Sequence, residues 1–434
     1  MAENKLADIS IKNYRAIKQA DIQLSGITVV SGVNGCGKST ISKLLYYMYR
    51  NANRYEDIIL EYINEHLEPY LEVVRQIRSV LPFIRHDIRL MPVQQGLKLR
   101  SLDSHEEYLS YIRNLISRYI ELESNQTGNK RTGEIRNRLE FILKYSLNIK
   151  GDTLHSQLKQ LSSMITDIVQ KGVNLNISRP YEFYKASIVS EFDASISKDI
   201  VLKEYGSIIY GEGIKNVPLP HYIKKVAYID TPMSIGMRAG YGIPTHWGEL
   251  NELLKESPKR GYKRSINDII KKEIIQGDIV YNNDIISSGF RYRTVDGIEI
   301  DLAECATGIK SFAVLQLLLK NRFLDESTLL IIDEPEAHLH PQWIIEYARI
   351  IVMLHKRSGV KFFLASHSTD MVSAIRYISE KENCLSSVDF YLAEKEKGNS
   401  NKYRYTPLKH DIDPIFGSFN KSFEKLDHYT GYEK

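Results

Sequence analysis

Four short runs of this sequence have residue types and spacings that suit chemistry on a phosphate. The first, Gly32-Val33-Asn34-Gly35-Cys36-Gly37-Lys38-Ser39, follows the pattern GxxxxGK[ST]. Glycines in such a loop carry no Cβ, so backbone N–H groups can face a β-phosphate. The N-terminus of the helix that follows adds a favourable dipole. Lys38 then bridges the β- and γ-phosphates, and the Ser39 hydroxyl can ligate Mg²⁺. Asn34, Gly35, Cys36, Gly37 and Thr40 share the same loop. A chance glycine-rich turn is the bland alternative, and eight residues in register argue against it. The second run, Leu329-Leu330-Ile331-Ile332-Asp333-Glu334-Pro335, carries two acids to the end of an apolar strand. Ligands bind at such strand ends in open α/β sheets. Asp333 would hold Mg²⁺ through water, and Glu334 would polarise the attacking water beside the γ-phosphate. Without Lys38 the pair would read as a solvated turn. The third, Ala365-Ser366-His367-Ser368, ends another apolar strand, and His367 there can donate to a γ-phosphate and sense its loss. The fourth is Glu304-Cys305-Ala306-Thr307-Gly308-Ile309-Lys310-Ser311. A hydroxyl and a glycine N–H at a helix start make a phosphate-binding corner; equally, Thr307 can be a plain N-cap.

These residues need strands and helices to position them. Residues 6–32 alternate and then turn apolar, which predicts two or three short strands before the loop, and Lys38 to Arg50 has helical spacing. From 51 to 196 apolar residues recur at three- and four-residue intervals with charges of both signs between them, the pattern of amphipathic helices. The polar stretch SNQTGNKRTG at 124–133 predicts a break there. Strand character returns near Lys198: KKVAYIDTP reads as a buried strand, and FRYRTVDGIEIDL as a hairpin with Asp296-Gly297 in a two-residue turn. Strands and helices then alternate to residue 378. The reading is an α/β nucleotide-binding domain in two parts, 1–50 and 197–434, around a helical insertion at 51–196.

The 434 residues, 43% apolar and 26% charged, can build such a core, and a net charge of +4 does not by itself point to nucleic acid. Only a local cluster can carry such a reading: Lys255, Lys259, Arg260, Lys263, Arg264, Lys271 and Lys272, with Tyr262 among them, either track a phosphate backbone or form a solvated face. Three cysteines, Cys36, Cys305 and Cys384, do not make a disulfide framework, and neither a signal peptide nor a membrane span is read. A cytoplasmic protein is expected.

Together, in this order, the four motifs resemble those of the ABC-type P-loop ATPases. The nearest likeness is to the RecF and SMC group of chromosome-maintenance ATPases, and it extends to the overcoming-lysogenization-defect nucleases and the Septu anti-phage ATPase. GxNGxGKST at 32–40, the approach IKNYRAIKQADIQLSGITVVSG and DEPEAHLHPQW at 333–343 carry the resemblance, which covers 6–50 and about 220–378. It implies ATP and Mg²⁺ as ligands and a homodimer in which Thr307 and Gly308 complete the site of a second copy. Ile309 and Lys310 replace the usual second glycine and glutamine of that signature, and Lys310 could offset phosphate charge across the interface. Residues 337–340 fall where the family has its dimer-contacting D-loop. Tyr14 either stacks on adenine or packs as a strand aromatic, and Gln94 and Gln95 are candidates for the Q-loop.

The expected function is a Mg²⁺-dependent ATPase, dimeric or of higher order, in a DNA-maintenance or anti-phage defence complex with a separate effector. No Toprim nuclease domain is read in the chain, and Asp411 and Asp413 read as a turn. A transporter ATPase subunit is the first rival, but some 270 residues separate Lys38 from Gly308, more than such subunits use. A P-loop kinase or GTPase would not need the Thr307-Gly308 corner. A nucleotide-gated scaffold without turnover is disfavoured by Glu334.

Overall fold

The central strands are apolar at every position, and a strand of that kind needs cover on both faces. In the computed structural model, which describes residues 6–81, 97–124, 130–192, 196, 198–230, 232–235, 245–284, 288–396, 398 and 401–417, they receive it. The chain divides into two units, Met1–Asn53 with Ile188–Lys434, and Arg54–Ser187. The first holds a ten-stranded sheet in the order β5-β4-β1-β2-β13-β12-β3-β11-β10-β6. Its strands are β1 (Ala7–Tyr14), β2 (Ile17–Gln23), β3 (Ile27–Gly32), β4 (Ile200–Glu204), β5 (Ser207–Tyr210), β6 (Lys225–Ile229), β10 (Thr328–Asp333), β11 (Lys361–Ser366), β12 (Val388–Lys395) and β13 (Tyr403–Lys409). β6, β10, β11, β3 and β12 run parallel, and β1, β2, β4 and β5 form antiparallel pairs at one side. β7 (Gly277–Asn282), β8 (Gly289–Thr294) and β9 (Glu299–Asp301) make a separate antiparallel sheet.

Alternate residues of the parallel strands, among them Val29, Leu330, Ile332, Phe362 and Leu364, belong to one core with Phe312, Tyr347, Ile351 and Ile375. α1 (Lys38–Asn53) packs on β6, β10 and β11. The helices after the strands start and stop where their sequences dictate. The helix Pro341–Ser358 has Pro341 in its first turn, where no N–H is needed, and ends on Gly359 at φ 69°. The helix Thr369–Lys381 is capped by Ser368, whose Oγ accepts from Met371 N at 3.2 Å.

The second unit is helical: α2 (Tyr55–Val80), α3 (His105–Ser124), α4 (Lys130–Phe141), and α5 (Leu154–Ser178). Ile59, Ile63, Leu67 and Leu71 lie one turn apart on α2 and are fully buried, as are Leu161, Ile165 and Val169 of α5. α2 and α5 pack together, and a Cβ on Gly172 would lie 2.3 Å from Ile63, so only glycine permits the approach there. α6 (Tyr181–Ser190) leads back to the sheet unit. Further helices of the sheet unit include α7 (Thr245–Leu254), α8 (Thr307–Lys320), α9 (Pro341–Ser358) and α10 (Thr369–Lys381).

Three local expectations change. The units part at Asn53 and Ser187 rather than 50 and 196, because α1 runs its full amphipathic length into the sheet unit. Helix resumes at Lys130, inside the stretch expected to be a break. The β8–β9 hairpin closes on three residues, not two: Thr294 N donates to Ile298 O at 2.9 Å, Gly297 N to Thr294 O at 3.1 Å, and Gly297 sits at φ 85°. That is a type I turn followed by a left-handed glycine, the usual three-residue solution.

Candidate nucleotide site

The loop 32–37 joins β3 to α1 and fixes its shape by two left-handed glycines, Gly35 at φ 79° and Gly37 at φ 103°. Gly37 has a second reason to be glycine, since a Cβ there would lie 2.8 Å from Ile17. Lys38 is buried and donates from Nζ to Gly32 O at 2.7 Å and Val33 O at 3.1 Å. The ammonium is thus held inside the loop by carbonyls that a phosphate can replace. The Cys36 side chain is fully buried, and Tyr405 OH donates to its carbonyl at 3.0 Å.

Asp333 ends β10 beside this loop. Ser42 Oγ, one turn into α1, donates to Asp333 Oδ1, and Tyr228 OH from β6 donates to Oδ2 at 2.9 Å. Burial pushes the Asp333 carboxyl above the usual carboxylate range, against the hydrogen bonds from Ser42, Ser39 and Tyr228, which favour its ionised form. No lysine or arginine pairs with it among the described residues. A buried carboxylate ringed by hydroxyls is an all-oxygen donor set that fits a hard divalent cation such as Mg²⁺.

Glu334 N donates to Ala365 O at 2.8 Å, which prolongs the sheet by one residue. Glu334 then turns sharply at φ 50°, a left-handed conformation that costs a non-glycine residue energy and that recurs at functional sites. Its carboxylate is half exposed and lies 3.8 Å from His367 Nδ1. A cleft of about 430 Å³ gathers Asn34, Gly35, Gly37, Lys38, Ser39 and Thr40 with Asp333 and Glu334. Arg15 and Ala16 of the β1–β2 turn also line it.

Arg15, Ser42, Tyr228, Asp230, His246 and Glu336 were not read from the sequence as site residues. Arg15 takes the place at the cleft where Tyr14 was a candidate. Of the two readings of Tyr14, the structure shows the packed aromatic: the ring is 5% exposed, with the Arg15 guanidinium 5.5 Å from its centroid. Glu336 is 8% exposed and accepts from Ser366 Oγ at 3.0 Å and from His367 N at 2.8 Å. Its Oε1 also lies 3.2 Å from His367 Nδ1, off the line of a good hydrogen bond. One carboxylate therefore ties the turn after β10 to the end of β11. Tyr228, Asp230 and His246 extend the polar row behind Asp333. The Tyr228 and His246 ring centroids are 4.7 Å apart, His246 Nε2 is 3.1 Å from Asp230 Oδ2, and Trp247 Nε1 donates to Asp230 Oδ1 at 2.6 Å. Burial works to raise the Asp230 carboxyl, but His246 and Trp247 hold it below the usual range. Asp230 closes the run KKVAYID as Asp333 closes TLLIID, a parallel visible in the sequence. Glu336, three residues past Asp333, gives no such signal.

Thr307, Gly308 and Lys310 do not line this cleft. α8 has its N-cap at Ala306, which offers no side-chain oxygen, so Thr307 is the first helical residue and not the cap. Lys310 is 6% exposed and donates from Nζ to Ala303 O at 2.7 Å, so it is turned into its own chain and not held out toward a neighbour. A Cβ on Gly308 would lie 2.7 Å from the Trp343 ring and 3.4 Å from Leu339, so the 337–343 segment packs directly on this helix start. Gln94 and Gln95 lie outside the described residues.

A family model described as "AAA ATPase domain" matches residues 5–180 and 242–372. The chain belongs to that family. The ATPase is 22% identical over 400 residues to the Old nuclease of Escherichia phage P2, a match that covers 88% of this chain and 60% of the relative. It therefore spans 60% of that relative's length. Among solved structures, the Smc head domain of Pyrococcus furiosus, with an extended coiled coil and bound to the C-terminal domain of ScpA, is 12% identical with a TM-score of 0.35, covering 98% of each chain. The SMC head domain of Thermotoga maritima is 14% identical with a TM-score of 0.26, covering 39% of this chain and 57% of that one. The family match covers most of the chain, and the likeness to the Old nuclease extends over 88% of it. No helix among the described residues is long and apolar enough to cross a membrane.

Proposed function

We propose that this ATPase hydrolyses ATP with Mg²⁺ in the cleft between the 32–37 loop and the ends of β10 and β11. The observation that carries the reading is the convergence on one cleft of Lys38 with Asp333 and Glu334, about 300 residues later in sequence, with Asp333 fixed from behind by a buried hydrogen bond from Ser42. Backbone N–H groups of the loop bind the β-phosphate, and Lys38 exchanges its two carbonyl partners for β- and γ-phosphate oxygens. Arg15, at the mouth, adds positive charge. Ser39 and Asp333 would hold Mg²⁺, which when bound would offset charge on the phosphates. Glu334 accepts a proton from water as that oxygen bonds to the γ-phosphorus. The bond from phosphorus to the bridging oxygen breaks, and ADP and phosphate form. His367, set by Glu336, faces the γ-phosphate. Lys38→Ala should lose nucleotide binding, measured by equilibrium titration. A Lys38→Ala chain that binds ATP normally would overturn the assignment.

In this reading two copies meet head to tail, and the start of α8, with N–H groups free of any side-chain cap, completes the partner's site. Any cutting of DNA belongs to a separate effector in a defence or maintenance complex. What supports this is the turn at Asp411 and Asp413, where Asp413 N donates to Asp411 Oδ1 at 3.0 Å, an arrangement that engages the Asp411 carboxylate with backbone. The purified chain with ATP and Mg²⁺ or Mn²⁺ should leave plasmid and linear DNA intact. Cutting lost in Asp411→Ala/Asp413→Ala would move the effector into this chain.

A further inference from the structure

At the opposite end of β6, β10 and β11 lies a groove of about 700 Å³. The strands are parallel: Lys225, which opens β6, Ser327, just before β10, and Gly359, two residues before β11, line it, while Asp333 of β10 and Ala365 of β11 line the nucleotide cleft. Six strand residues put roughly 17–20 Å between the two. Its cationic lining comes from Lys225, Lys259, Lys263, Arg322, Lys356 and Arg357. Three of these are spoken for: Lys225 pairs with Asp325, Lys259 with Glu256 and Lys356 with Glu382. Asp325 and Glu326 are the acids of the lining; Asp325 is offset by Lys225 and oriented by Ser327, whose N and Oγ donate to it at 2.9 and 2.7 Å, so the cations outnumber the acids six to two. Lys263, Arg322 and Arg357 make no ion pair among the described residues.

Two features separate this groove from a solvated surface. Cations at helix C-termini ordinarily offset the helix dipole, which accounts for Lys356 and Arg357 on α9. It does not account for Lys263, which comes from the loop after α7. The walls are also tied together. Lys259 N donates to Lys320 O at 2.9 Å, Arg322 Nη1 to Arg260 O at 3.3 Å, and Arg357 Nη1 to Ser265 Oγ at 3.1 Å. Each guanidinium is anchored by one N–H and keeps its remaining donors, the arrangement that suits phosphate oxygens. Tyr262, half-buried, stands in the same lining and can present a ring to a base.

We infer that this groove binds the phosphodiester backbone of a single nucleic-acid strand, with Lys263, Arg322 and Arg357 on phosphates and Tyr262 stacking on a base. The site is independent of the nucleotide cleft, so Lys38→Ala should bind strand as the native chain does even where it no longer binds ATP. The test is fluorescence anisotropy of labelled dT20 and rU20 with the full chain over a salt series, the two oligonucleotides distinguishing DNA from RNA. Lys263→Glu/Arg322→Glu/Arg357→Glu should weaken binding at least about tenfold. It should also flatten the slope of log K against log salt by about 2, since each lost phosphate contact removes about 0.7. Tyr262→Ala should cost roughly fivefold or more without changing that slope. The same charge change at Lys18, Lys203 and Lys215, outside the groove, should leave most of the affinity. No binding by the native chain, equal loss from the control triple variant, or groove-dependent binding of poly-glutamate but of neither oligonucleotide would each overturn the inference.

Discussion

The two ends of the same parallel strands are built from opposite charges. Where β10 and β11 finish, the sheet unit buries Asp333 and Glu336 and bends Glu334 into a left-handed conformation. Where they begin, it gathers lysines and arginines around an open groove. Chain direction sorts the two. Helices that follow parallel strands begin at the strands' far ends, so their N-terminal N–H groups face anions there, and their C-termini, with His355, Lys356 and Arg357 on α9, return to the near end. The first end holds backbone strain at Glu334 and a buried carboxylate without a basic partner among the described residues, which fits the cation and phosphates proposed to bind there. The second satisfies its backbone and leaves its spare charge toward solvent.

The comparison predicts that charge at the two ends has unequal consequences for turnover. Glu334→Gln should keep ATP affinity and lose roughly 10²–10⁴-fold in hydrolysis, read by phosphate release, whereas Arg357→Glu should leave the rate within about twofold. Hydrolysis at the native rate by Glu334→Gln would break the contrast. The next effect concerns assembly. A mixture of Lys38→Ala and Thr307→Glu chains should regain some of the activity that either lacks, because one composite site stays intact. No recovery, with mixed dimers shown to form, would remove α8 from the partner's site. Thr307 is the better position than Gly308 for this experiment, since any side chain at Gly308 would first displace Trp343.

Glu336→Gln should lower kcat about tenfold with ATP affinity unchanged, and Glu336→Asp should recover part of the loss, because the carboxylate sets the ring and backbone of His367 rather than touching nucleotide. Equal effects of both variants on ATP affinity would make Glu336 a general structural residue. A smaller effect, on stability, follows from Asp333. Its carboxyl is raised by burial, so the folded chain holds the proton more tightly than the unfolded chain does, and stability is lost as pH rises through the folded-state pKa. Asp333→Asn should therefore raise the Tm of the nucleotide-free chain at neutral pH while abolishing Mg²⁺-dependent turnover. An unchanged or lower Tm would show that the hydroxyls around Asp333 already compensate its charge. Smallest of all, Tyr14→Phe should be neutral or stabilising by up to about 1 kcal/mol, since the buried hydroxyl has no hydrogen-bond partner among the described residues. A clear loss of ATP affinity in that variant would return Tyr14 to the site.

Local chemistry made much of this legible in the sequence. The loop glycines, the strand ending in Asp333-Glu334 and the strand ending before His367 are short-range patterns, and each reports its own backbone: left-handed turns, continuous apolar runs, caps. The alternation of strands and helices likewise follows from hydrophobic period alone. What the sequence could not decide was which side chains meet. Tyr14 and Arg15 are adjacent in sequence, and only the β1–β2 turn, with Arg15 at φ 48°, puts one in the core and the other at the cleft. Lys310 reads as a free cation until the fold gives it Ala303 O. Glu336 becomes the partner of His367, 31 positions away, only because β10 and β11 are paired in register, Asp333 beside Ala365. Such contacts are fixed by strand order and burial, which act between segments far apart in the chain, and a residue's own neighbours in sequence carry no record of them.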